Sequence, residues 1–146
     1  MNKIITLTLI AIALTSCTQY SGNVPEVGEF SQTYDLYLTS NQDLCTIYGS
    51  IIDTTIGYRG VLVFRNAYEG LPDDFLAFDM ACSHDPFEHG ATVTWERWGV
   101  IVECPVCGTK YLLINYGWPI ENSGPSVYSL RQYKTFFDGR YVTVSN

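Results

Sequence analysis

Two short boxes constrain this chain more than anything else in it: Cys82-Ser83-His84, and downstream Cys104-Pro105-Val106-Cys107-Gly108-Thr109-Lys110-Tyr111. In an extended or hairpin loop, residues two apart point to the same side, so Cys82 and His84 can reach one centre together. Cys104 and Cys107 can do the same through a tight knuckle. Thiolate with imidazole is the ligand mixture that soft transition metals and iron-sulfur clusters select. A fold for this chain therefore has to carry the two boxes on loops that face each other.

The rest of the pattern says how such loops are delivered. Residues 34–38 alternate apolar and polar side chains, 44–52 are rich in apolar and β-branched ones, and 61–65 form the continuous apolar run of a buried strand. Residues 75–79 run as a strand straight into Cys82. Segments 92–96 and 99–103 read as a strand pair whose second member enters Cys104. Residues 112–114 and 127–130 give further strands, and 133–137 with 141–144 close a hairpin over Asp138-Gly139. Beyond the amino terminus no long amphipathic helix is visible. Cys45 is expected to be a buried, inert thiol. Trp95, Trp98 and Trp118 are expected in the core or around the ligand pocket. His89 reads as a solvated side chain in a polar loop.

The boxes and their flanks resemble those of the Rieske [2Fe-2S] domains. The second box of that family reads C-P-x-H-G-[ST]-x-[FY], and Cys104, Pro105, Gly108, Thr109 and Tyr111 match it, with Cys107 standing where the histidine should be. Upstream, Gly60 through Phe64-Arg65 to Phe78-Asp79-Met80-Ala81-Cys82-Ser83-His84 is similar to the G-x-x-V-x-V-x-R and A-x-D-x-x-C-x-H layout. Gly124-Pro125 resembles the proline loop that covers the cluster. The resemblance implies an antiparallel all-β sandwich or barrel over residues 30–146, carrying a small cluster-binding subdomain with loops at 82–90, 104–111 and 122–126. It also implies that Cys82 and Cys104 hold the inner iron of a [2Fe-2S] cluster, and His84 and Cys107 the outer one. Thr109 and Tyr111 match positions whose hydroxyls hydrogen-bond to cluster or ligand sulfur. Replacing a neutral imidazole by a thiolate adds negative charge, so the potential should lie below that of a true Rieske centre.

Three readings of the four ligands stay open on the residues themselves. One is a [2Fe-2S] electron carrier with three thiolates and one imidazole. Another is a closed, structural zinc in a Cys3His site. The third is a Cys104–Cys107 disulfide without metal, which an oxidising compartment allows. A thioredoxin-like use of C-x-x-C needs the motif at a helix start within a βαβ unit, and no such unit is visible. No nucleophile with a base at motif spacing accompanies the boxes, so a redox module is expected and not a separate catalytic site.

The amino terminus points to a compartment. Lys3 precedes an apolar run over residues 4–14, too short to span a bilayer as a stable helix but suited to a signal peptide. Leu14-Thr15-Ser16-Cys17 then resembles the lipobox of bacterial lipoproteins, which implies cleavage after residue 16 and lipidation of Cys17. Residues 17–29 read as a polar tether. The expectation is an exported lipoprotein held at a membrane through Cys17, periplasmic or on the outer face. With fifteen acidic residues against eight basic ones, the surface is negative, which argues against nucleic acid and allows docking to a basic redox partner.

Overall fold

The computed structural model describes residues 24–67, 69–88 and 90–146. The signal segment, Cys17 and His89 lie outside the described residues. Among those described, the fold is all-β and antiparallel, as expected, with three short 3-10 turns between strands. Nine strands run in chain order: β1 (Ser31–Asp35), β2 (Ser50–Asp53), β3 (Val61–Arg65), β4 (Phe75–Asp79), β5 (Ile101–Glu103), β6 (Lys110–Leu112), β7 (Trp118–Pro119), β8 (Gln132–Phe137) and β9 (Tyr141–Ser145). Six of them form one sheet in the order β1-β9-β8-β4-β3-β2, and β5-β6-β7 form a second, smaller one.

The large sheet curls because β8 changes partners along its length. Tyr133 and Gln132 pair with Ala77 and Phe78 of β4, whereas Lys134 to Phe137 pair with β9. The two edge strands are thereby brought close enough for the Tyr34 hydroxyl of β1 to donate to Asp53 Oδ2 of β2 at 3.0 Å. A side-chain seam closes what the backbone leaves open.

Strands β3 and β4 are buried on both faces, and their period-two alternation sorts the side chains into two cores. Val61, Val63, Phe75 and Ala77 face inward with Tyr34, Leu44, Tyr133, Val142 and Val144. Leu62, Phe64, Leu76 and Phe78 face the other way, toward Val102, Tyr111, Leu113 and Leu130 around the small sheet. Each fully buried side chain of this size contributes about 1.5–3 kcal/mol of transfer free energy. The same alternation continues past the strand end through Met80 to Cys82, so the first thiol enters the second core by parity.

Several local expectations are corrected. Residues 44–52 are not one strand: Thr39–Cys45 is a 3-10 turn, and only Ser50–Asp53 is extended. The run is broken where Tyr48 takes φ 64° and Gly49 packs against the Asp43 and Thr46 carbonyls. Buried Asn41 secures the turn by donating from Nδ2 to the Asp35 carbonyl at 2.9 Å. Cys45 is exposed at its end, not buried, and Leu44 is the side chain this segment commits to the core. Residues 36–38 turn away after β1, with Leu38 N–H on the Asp35 carbonyl. Strand β6 ends at Leu112 and continues as a 3-10 turn, and 127–130 is not a strand. Residues 92–94 pair by single bridges, Thr92 with Ala81 and Thr94 with Glu103, because they divide their hydrogen bonds between the first box and β5. Of the tryptophans, Trp95 packs half-buried against the second core. Trp98 and Trp118 are exposed, the former under the Arg97 guanidinium at 5.3 Å.

Candidate metal centre

The first box sits at the tip of a hairpin that extends β4. Cys82 N–H donates to the Ala91 carbonyl at 2.9 Å, and Val93 N–H donates to Met80 at 2.8 Å, so the backbone is held on both sides of the loop. The second box closes the β5–β6 hairpin. Cys104 N–H donates to Thr109 and Gly108 N–H donates back to Cys104, both at 2.9 Å. Gly108 takes φ 72° there, a left-handed conformation that glycine adopts without a Cβ penalty, and this closes the turn of the second box.

The two hairpins bring Cys82, Cys104 and Cys107 together, with their sulfurs all within 4.8 Å of one another, and this group could hold a metal ion. Cys82 Sγ and Cys107 Sγ are 3.6 Å apart. His84 lines the same cavity, of about 220 Å³, together with the three cysteines, Asp85 and Glu88. The imidazole is exposed, and its nitrogens do not join the sulfurs inside the 4.8 Å set. The simple period-two expectation for Cys82 and His84 therefore holds only loosely: one is buried, the other stands at the rim. The strand pairing ends at Cys82 and no longer dictates direction two residues on.

A third loop packs against both boxes, although its Gly124 and Pro125 do not line the cavity. Gly124 lies so close to Thr109 that an added Cβ would meet Thr109 Cα and N at 2.6 Å, so only glycine fits against that backbone. Thr109 Oγ1 is 3.2 Å from Cys107 Sγ and accepts from Ser126 N–H at 3.3 Å. The Tyr111 hydroxyl is 3.3 Å from Cys82 Sγ. Each of these two hydroxyls thus lies on a thiol. Pro125 follows Gly124 in that loop.

Two supporting residues were not singled out from the sequence. Ser83 is buried, and its Oγ lies within hydrogen-bond distance of the Tyr111 hydroxyl (3.1 Å), Ser126 Oγ (3.0 Å) and the Tyr128 carbonyl (2.8 Å), tying the first loop to the third. Its only sequence signal is a small hydroxyl between two ligands. Ser126 is its buried counterpart, two residues after Gly124.

Burial pushes the Cys104 thiol up to about 11, with the nearby Cys82 thiol adding to the rise. For Cys107 burial acts in the same direction, but hydrogen bonds from the Thr109 hydroxyl and backbone, then from Cys82 and Cys104, outweigh it and lower the pKa. Tyr111 is raised by burial and by the Cys82 thiol, which keeps it a neutral donor. Three thiols this close cannot all ionise without a cation between them, whereas a bound divalent metal deprotonates thiols outright. The donor set therefore fits a thiolate-loving metal.

No protein-family model matches this chain, and no curated protein matches it.

Proposed function

We propose that this chain is an electron-transfer protein with a Rieske-like [2Fe-2S] centre, in which Cys82 and Cys104 hold the inner iron and His84 and Cys107 the outer one. The observation that carries the reading is the cavity that continues from the three sulfurs to His84 at the rim. When bound, such a cluster supplies one reversible electron. Cys82 and Cys104, both buried, exclude water from the inner side, while the Thr109 and Tyr111 hydroxyls, each within reach of a ligand sulfur, would donate to it once it is a thiolate and offset part of its added charge. His84 is the ligand nearest solvent, so a partner would meet the site there. Asp85 and Glu88 on the same cavity suit a basic redox partner. Anchoring through a lipid on Cys17 at an exported membrane face is part of this proposal, and no helix among the described residues is long and apolar enough to cross a membrane.

A second reading, a mononuclear Cys3His zinc in an exported interaction lipoprotein, is favoured by one distance. Two thiolates on a tetrahedral zinc at about 2.3 Å each stand about 3.8 Å apart, close to the 3.6 Å between Cys82 and Cys107. Metal analysis of anaerobically produced protein decides between them. Iron and acid-labile sulfide in equal amounts, with reversible one-electron reduction, are expected; stoichiometric zinc under iron-replete growth, with no visible absorption, would transfer the site to the second reading.

A further inference from the structure

The first ligand loop contains a residue whose position needs explaining. His84 lies beyond the last ladder bond at Cys82, in a segment that turns on itself through the Asp85 carboxylate, which accepts from Phe87 N–H at 3.0 Å and Glu88 N–H at 3.2 Å. That turn shapes the loop but does not aim it. What joins its outer half to the body of the protein is Arg59. Arg59 Nε and Nη2 donate to the Pro86 carbonyl at 3.1 and 2.9 Å, and Nη2 also donates to the Glu88 carbonyl at 3.1 Å. The neighbouring Tyr58 ring meets Phe87 edge-on at 6.4 Å.

The base of this clamp is rigid. Arg59 sits in Gly57-Tyr58-Arg59-Gly60, between β2 and β3, and this turn wraps around buried Asp79. One Asp79 oxygen accepts from Tyr58 N–H (2.6 Å) and the Tyr133 hydroxyl (2.8 Å), the other from Arg59 N–H (3.2 Å) and Ala81 N–H (2.8 Å). A single buried carboxylate thus fixes both the backbone that carries Arg59 and the backbone that leads into Cys82. Gly57 makes the wrap possible, since at φ 78° an added Cβ would meet Asp79 Oδ2 at 2.9 Å and Val61 Cγ2 at 2.8 Å.

We infer that Arg59 is a positioning residue for the metal centre, whose guanidinium grip on the Pro86 and Glu88 carbonyls sets the loop so that His84 can serve as the fourth ligand beside Cys82, Cys104 and Cys107. The inference rests on the metal-centre reading above, with either metal. A planar guanidinium makes several directed bonds at once, whereas a lysine ammonium at the same place keeps the charge and loses the fork. Outer residues that orient a ligand typically cost about 10–100-fold in metal affinity when removed. The three thiols, held by their own hairpins and by Thr109, Tyr111 and Ser83, do not depend on Arg59.

The test uses Co2+ as probe, because its ligand-field bands report the imidazole and its sulfur-to-cobalt charge transfer reports the thiolates. The full chain, stripped of metal and kept reduced, is titrated as wild type, Arg59→Gln, Arg59→Lys, His84→Ala and the double variant Arg59→Gln/His84→Ala. Arg59→Gln should weaken Co2+ binding about 10–100-fold, keep the charge-transfer intensity and move the ligand-field bands toward those of His84→Ala. Arg59→Lys should fall between it and wild type. In the His84→Ala background, Arg59→Gln should cost nothing further, since its effect runs through the imidazole. Additive losses in the double variant, or an Arg59→Gln spectrum that keeps the imidazole bands, would reduce Arg59 to a fold-stabilising residue and overturn the inference. If Arg59→Gln does not fold, Arg59→Lys against His84→Ala carries the same comparison. Absence of thiolate charge transfer in the wild type is a different failure, which removes the metal centre itself and the clamp's role with it.

Discussion

The two sheets of this molecule are built on different means of support. In the large sheet, strands of four to six residues pair around a mainly apolar core, and a hydroxyl-carboxylate seam joins its edges. In the small sheet the strands are three, three and two residues long, a length that gives little cooperative stability by itself. What surrounds its ligand end is polar or sulfur-bearing: Ser83, Ser126, Thr109, Tyr111 and three thiols. One region is held by burial. The other borrows one face of β3 and β4 and leaves a space among its sulfurs that could hold a cation.

The largest expected effect follows from that contrast. Removing metal with a chelator under reducing conditions should collapse amide protection at Cys82, Cys104, Gly108 and the β5–β6 pair, while β3, β4, β8 and β9 keep theirs. Hydrogen exchange with and without chelator checks this directly, because local and global opening have separable free energies. Uniform loss across both sheets would show that they form one cooperative unit; no loss anywhere would show that the small sheet stands without metal.

A sharper cut uses one strand and one residue type. Phe75 and Phe78 are both fully buried on β4 but on opposite faces, Phe75 against Phe137 at 4.8 Å in the inner core, Phe78 beneath the small sheet where Gly117 packs on its ring. Either change to Ala should cost about 3–5 kcal/mol in denaturant unfolding. Only Phe78→Ala should also weaken metal binding, by loosening the platform under Val102, Tyr111 and Cys104. Equal effects of the two variants on metal affinity would contradict the division into two cores.

Legibility in the sequence followed the same division. Strands β3, β4, β8 and β9 were readable because their apolar runs and the Asp138-Gly139 turn state both period and boundary, and the grouping of Cys82, Cys104 and Cys107 was readable from their spacing at loop tips, whereas the place of His84 at the rim was not, because the pairing that sets direction ends at Cys82. The segment over Thr39–Cys45 was not, since Leu44, Cys45 and the residues after them look β-forming, and the turn depends on a long-range bond from Asn41 to Asp35. The exposure of Trp98 and Trp118 was equally hidden, for an aromatic residue carries no mark of the partner that would bury it. Arg59 and Asp79 lay in plain view, one in a turn and one in a motif. Their joint role depends on a turn folding back over a strand end, which is tertiary information.

The smallest expected effect lies at the seam of the large sheet and concerns acid. Burial disfavours the charged form of Asp53, but hydrogen bonds from the Thr55 hydroxyl and backbone and from the Tyr34 hydroxyl outweigh it, so its pKa in the folded protein is lowered. A carboxylate whose folded pKa lies below its unfolded value of about 3.9 stabilises the fold fully above that value, and the contribution is lost as pH falls through the folded pKa. Asp53→Asn should therefore lower the urea midpoint by a constant amount from neutral pH down to about pH 5, and by less and less below about pH 4, where the wild type itself becomes protonated. Because the seam joins β1 to β2, away from the cysteines, the difference should be the same with metal present or chelated. A midpoint difference that persists unchanged into strong acid would mean that the Asn side chain disrupts the seam sterically, and a difference that vanishes on chelation would mean that the large sheet is not independent of the metal centre.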